Sequence, residues 1–174
     1  MTTKLVNKQL LGEIGESIQS SEFTNIKNLN DLIQHNFPIF DLIADKGNDK
    51  YIFSVKARYK YGQNGKINHI YNILHNTSTS SVASKYKKAI DLLKNYGINT
   101  DNLHYCFIVA PFEENKDCIY YYDEFININP EYNTNNILDN KISYFGVNMN
   151  DDNLNKYKIF GIHSWNYIQN KFIK

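Results

Sequence analysis

Arginine is nearly absent from this chain: Arg58 stands alone among 174 residues, beside 18 lysines. Where lysine is the default cation, a solitary arginine is either a chance survivor or a position that needs a planar, bidentate guanidinium. Cysteine is almost as scarce. Cys106 and Cys118 are the two present, which excludes a disulfide framework and any zinc site built from four thiolates. Three prolines and eight glycines leave no linker rich enough to mark a domain boundary. No apolar run approaches the roughly 20 residues that span a bilayer, and no glycine-rich loop of the Walker or Rossmann type is present. Residues 1–8 carry no apolar signal region. A soluble, cytoplasmic protein in a reducing compartment is the expectation.

What is present fits one domain over residues 1–174. Apolar residues make up 42% and charged residues 21%, close to the globular average. Asparagine (26) and isoleucine (22) are heavily used, the pattern of an AT-rich coding sequence, so asparagine runs carry little information. The net charge of +1 conceals an asymmetry. Residues 50–94 hold nine Lys/Arg against one acid, a net of +8, and residues 101–155 hold ten acids against two lysines, a net of −8. A basic block of this density is a plausible phosphate-binding footprint. The alternative is a pair of solvated faces that neutralise each other within one fold.

Periodicity predicts a helix over 5–22, weakened by Gly12 and Gly15, and a short helix over 26–35. Strands are expected at 38–44 and 51–57, joined by the Gly47-Asn48-Asp49 turn into a hairpin. A third strand is possible over 66–74. Ser81 reads as the cap of a helix over 82–96 that stops at Gly97, with Val82, Tyr86, Ala89, Ile90 and Leu93 on one face. His104 to Ala110 reads as a buried strand ended by Pro111, and Cys118 to Tyr122 as another. An edge strand over 159–162 and a helix over 164–172 close the chain. This order predicts an α/β sandwich with a mixed sheet and helices on both faces.

Three features fall in register. The first helix carries Glu13 and Glu16, the first strand carries Asp41 between Phe40 and Leu42, and the second carries Lys56 after Ser54-Val55. An aspartate or lysine inside an apolar strand is costly unless paired or ligating an ion. Alternation puts Ser54, Lys56 and Arg58 on one strand face, and a hairpin sets Asp41 beside Lys56. As an exposed cross-strand ion pair the two would contribute little.

Pro38-Ile39-Phe40-Asp41 followed by Ser54-Val55-Lys56, behind a glutamate-bearing helix, resembles the PD-(D/E)xK nuclease superfamily. The resemblance covers about residues 5–110. It implies a restriction-endonuclease-like mixed sheet flanked by helices, with an αβββαβ core over about 5–125 and a C-terminal extension over about 126–174. It implies a metal-dependent endonuclease that hydrolyses DNA phosphodiesters and often works as a homodimer. Asp41 would hold Mg2+ (or Mn2+), with Glu16 or else Glu13 as the helix acid, and Lys56 would assist the attacking water. Arg58, Lys60, Lys66, Lys85, Lys87 and Lys88 would grip phosphates. The sequence departs from the family where a second acid is expected, because Ser54 stands there. Either Glu16 or Asp45 supplies the missing charge, with Ser54 completing the shell, or the fold has given up catalysis and keeps a binding role. His69 and His75, six apart, do not make a one-face helical metal pair, and Cys106 reads as a small core residue.

Overall fold

A computed structural model of the protein describes residues 12–13, 19–62 and 64–173. Eight strands and six helices lie among these residues. Strand β1 spans Thr24–Asn28, β2 Leu42–Lys46, β3 Asp49–Tyr59, β4 Ile70–His75, β5 Leu103–Phe112, β6 Cys118–Glu124, β7 Tyr144–Asn148 and β8 Lys158–His163. Helix α1 spans Leu29–Leu32, α2 Val82–Tyr96, α3 Phe125–Ile128, α4 Thr134–Leu138, α5 Asp151–Leu154 and α6 Trp165–Phe172. Six strands form one mixed sheet in the order β1-β2-β3-β5-β6-β8, and β4 and β7 form a separate antiparallel pair. The β3–β5 pairing is parallel and the other pairings of the large sheet are antiparallel.

Strand alternation divides the core in two. Ile43, Ile52, Phe107 and Val109 face one side, where α1 to α5 and the β4–β7 pair cover them. Leu42, Phe53, Ala57, Cys106, Ile108 and Tyr122 face the other, where Phe23 and Ile168 of α6 pack. Phe23 is ringed by Tyr51, Phe53, Tyr122 and Phe160, with ring centroids 5.0–5.3 Å away, the spacing at which aromatic pairs add to simple burial. Cys106 and Cys118 are buried within this layer. Burial pushes the Cys106 thiol up and raises that of Cys118 to about 12, so both stay protonated at neutral pH.

Helix α2 forms as its sequence dictates. The Ser81 hydroxyl accepts from the Ser84 N–H, and Gly97 closes the helix at a φ of 100°, a conformation that glycine adopts without a Cβ penalty. The five expected residues of its apolar face are all buried.

Elsewhere the tertiary structure overrides local pattern. Residues 24–28, whose last three were expected to open a helix, form β1 because their backbone pairs with β2; α1 is one turn. The strand expected from Pro38 begins at Leu42. The third expected strand shifts to Ile70–His75 and pairs with β7, outside the large sheet. Pro111 does not end β5, which runs on to Phe112. The C-terminal segment is integral rather than appended: β7 pairs with β4, β8 is an edge of the large sheet, and α6 covers its second face. Of the helix expected over 5–22, Gly12 and Glu13 are helical, residues 19–22 are not, and the rest lies outside the described residues. Among the described residues no helix is long and apolar enough to cross a membrane.

Candidate functional site

Asp41 immediately precedes β2, and the chain delivers it there through an unusual turn. Phe40 N–H donates to the Pro38 carbonyl at 2.7 Å, and Ile39 between them has a φ of 65°. A β-branched residue in the left-handed region is strained, and such outliers gather at functional sites. The turn accounts for the two residues that separate Pro38 from Asp41. Beyond it, Asp41 N–H donates to the Phe53 carbonyl at 2.8 Å, and the Asp41 carboxylate Oδ2 accepts from Val55 N–H at 2.7 Å. A carboxylate thus stands where a strand carbonyl would bond to β3, and its orientation is fixed.

Lys56 lies one residue further along β3. Asp41 and Lys56 both line a hollow of about 260 Å³, together with Ile39, His75 and Lys85. Lys85, on the first turn of α2, donates its Nζ to the His75 carbonyl at 3.0 Å. A second hollow of about 450 Å³ adjoins the first and shares Lys56 and His75 with it; Arg58, His69 and residues of β4 are also in its lining. The wall opposite β3 is pinned in place. Tyr71 Oη donates to the Arg58 carbonyl at 3.1 Å, and Asn68 Nδ2 donates to the Tyr59 carbonyl at 2.6 Å. Burial raises the Tyr71 phenol well above its ordinary range, so it stays a donor at neutral pH.

Several expected site residues lie apart from these hollows. Ser54 faces the same side of β3 but is wholly buried, its Oγ has no hydrogen-bond partner among the described residues, and it lines neither hollow. Glu13 is exposed, and Glu16 lies outside the described residues. Asp45 sits near the far end of β2, held by Lys50 Nζ at 2.7 Å and Asn25 Nδ2 at 3.0 Å. Of the six expected phosphate-binding cations, Arg58 and Lys85 line the hollows. Lys60 reaches Glu113 at 3.9 Å, and Lys87 pairs with Asp91 at 3.3 Å on α2. Lys66 and Lys88 are exposed elsewhere. Among the described residues no three His, Cys, Asp or Glu side chains cluster as a ready metal site.

His69 and His75, set aside in the sequence as a metal pair, and Asn68 and Asn72, which the sequence did not single out, are additions to the lining. Their position depends on β4 leaving the large sheet to face β3, and no local pattern in residues 66–75 carries that signal. No protein-family model, curated protein or solved structure matches this chain.

Proposed function

We propose that the protein is a metal-dependent nuclease acting on DNA, with Asp41 as the metal-holding carboxylate and Lys56 as the cation beside the scissile phosphate. The observation that carries this reading is the convergence of Asp41 and Lys56, from adjacent strands, on one hollow. The order β1, α1, β2, β3, β4, α2, β5, with Asp41 just before the second strand and Lys56 on the third, supports the resemblance to the PD-(D/E)xK superfamily, with β4 as an addition outside the large sheet. Glu16 as a further ligand rests on the resemblance alone.

The donor set fits a hard divalent cation. Mg2+ retains several waters and is commonly held by one or two carboxylates together with substrate phosphates. Asp41 supplies one carboxylate, and Mn2+ suits the same oxygens. When bound, such an ion neutralises charge on the phosphate and acidifies a coordinated water. The chain's own contribution is positional. Val55 N–H fixes the Asp41 carboxylate. The Lys56 ammonium opposes the negative charge that grows on the phosphate oxygens. Lys85, tethered to the His75 carbonyl, adds a second positive charge to the same hollow, and Arg58 meets a neighbouring phosphate.

A second reading is a binding module of the same fold without catalysis. Ser54 favours it, because a buried neutral hydroxyl replaces the second acid. Cleavage of plasmid and of single-stranded DNA in Mg2+, Mn2+ or EDTA separates the two. Asp41→Asn keeps an acceptor for Val55 N–H while removing the charge. It and Lys56→Ala are expected to lower metal-dependent cutting by at least about a hundredfold. Folded native protein that binds DNA and cuts nothing under any of these conditions assigns the second reading.

A further inference from the structure

We infer that the hollow of about 450 Å³ beside Lys56 is a subsite for one unpaired nucleotide, so that the protein engages single-stranded DNA in preference to an intact duplex. The inference rests on the proposed nuclease reading for the identity of the polymer, and on the hollow's own chemistry for the state of the strand.

The lining is one-sided in charge. Lys56 and Arg58 supply its charge, and among the described residues no carboxylate lines the space. An anion is therefore the ligand it suits. The remaining lining is not what a bare phosphate needs. Ile67 and Ile70 expose 37% and 57% of their surface, an apolar contact for the face of a base. Asn68 and Asn72 bring amide groups, which pair with base edges. The Asn68 amide nitrogen is engaged with Tyr59 and the Asn72 oxygen with the Tyr144 hydroxyl at 2.7 Å. Each amide is thus oriented, offering the Asn68 oxygen as an acceptor and the Asn72 nitrogen as a donor. A volume of about 450 Å³ falls within the usual range for small-ligand sites, roughly 300–1,000 Å³.

The wall that carries these groups is built before any ligand arrives. The chain leaves β3 and returns between Gly62 and Lys66. The turn is closed by Gly62 N–H to the Lys66 carbonyl at 2.8 Å and by Asn68 N–H to the Lys60 carbonyl at 2.8 Å. A paired, stacked base turns its hydrogen-bonding edge toward its partner strand and cannot enter a hollow between this wall and β3. A base free of its partner can, with its own phosphate on Lys56 or Arg58. Single strands are usually held by charge on the phosphate and by contact with the base face, most often aromatic stacking; here the exposed aliphatic faces of Ile67 and Ile70 supply that contact.

The test is equilibrium binding of a fluorescent single-stranded oligodeoxynucleotide and of the duplex of the same sequence, in EDTA at one fixed salt concentration. Native protein is expected to bind the single strand at least about tenfold more tightly. Ile70→Asn removes the apolar contact without adding charge and is expected to lower single-strand affinity more than duplex affinity, erasing most of that preference. Asn72→Ala, which removes an amide from the lining without changing its charge, is the second variant, with the same expectation and with circular dichroism to establish folding. Equal affinity for the two substrates, equal losses for both in the variants, or no binding of either overturns the inference. Cleavage measured separately keeps the two readings apart. Metal-dependent cutting without strand preference removes the subsite and leaves the nuclease. Strand preference without cutting removes the nuclease and leaves the subsite.

Discussion

Residue 54 is where the chain departs most sharply from the pattern around it. Its neighbours on the same strand face, Ile52 and Lys56, go respectively to the core and to the hollow. Ser54 lies between them, wholly buried, with a hydroxyl that has no partner among the described residues. A buried hydroxyl without a partner costs about 1–3 kcal/mol. Ser54→Ala is therefore expected to leave stability unchanged or raise it by about 1 kcal/mol, read from the urea midpoint, and to leave metal-dependent cutting intact. A loss of stability would instead mean that the hydroxyl makes a stabilising hydrogen bond, and a loss of metal response would make it a ligand. Asp41, Lys56 and Arg58 were legible as residues of interest because charge inside an apolar strand needs a reason. His75 was not, since nothing local distinguishes a useful histidine from an ordinary surface one.

Among the elements, the β2–β3 hairpin positions the site and was the most legible part of the chain. Gly47-Asn48 makes its turn, and register follows, with Leu42 opposite Phe53 and Asp45 opposite Lys50. Asp45 anchors the turn end. Its hydrogen bonds from Lys50 and Asn25 hold the carboxyl below its ordinary value of 3.8. The folded chain thus binds that proton less tightly than the unfolded chain. The stabilisation is complete at neutral pH and is lost as pH falls through the acid range below that value. Asp45→Asn is expected to be less stable than native protein at pH 7, by less than about 1 kcal/mol because the pair is exposed. The gap should narrow as pH falls below about 4 in parallel denaturation curves. Strand β1 was illegible for a related reason. Thr24–Asn28 has one apolar residue, Ile26, and a bulge between Thr24 and Lys27, so its strand character comes from pairing with β2.

Across the whole molecule, the basic middle and acidic second half of the chain interleave in the fold, since β3 pairs with β5 and β4 with β7. Lys60 and Glu113 meet across the boundary between them, while Lys56, Arg58 and Lys85 line the hollows. On the proposed reading, these three cations direct phosphates to the β3–β4 cleft. Affinity for single-stranded DNA should fall linearly with salt on logarithmic axes. Lys56→Gln with Arg58→Gln should flatten the slope by about 1.4, roughly 0.7 for each phosphate of a single strand that is no longer neutralised. Lys141→Gln, in the acidic half, should leave the slope unchanged. Equal flattening by both would place phosphate binding on the surface at large.

Local chemistry settled much of this protein in advance. The hairpin, helix α2 with its cap and stop, the buried strand β5 and the shared face of Ser54, Lys56 and Arg58 follow from periods of 2 and 3.6 residues and from turn-forming side chains, all of which act over a few positions. Long-range pairing decided the rest. Strand β4 joins β7 across some 70 residues, and β8 reaches the sheet edge from the far end of the chain. The burial of Ser54, the pinned wall and the place of His75 all depend on that assembly. Pairing between distant segments depends on which surfaces are left to cover, which no short window of sequence contains.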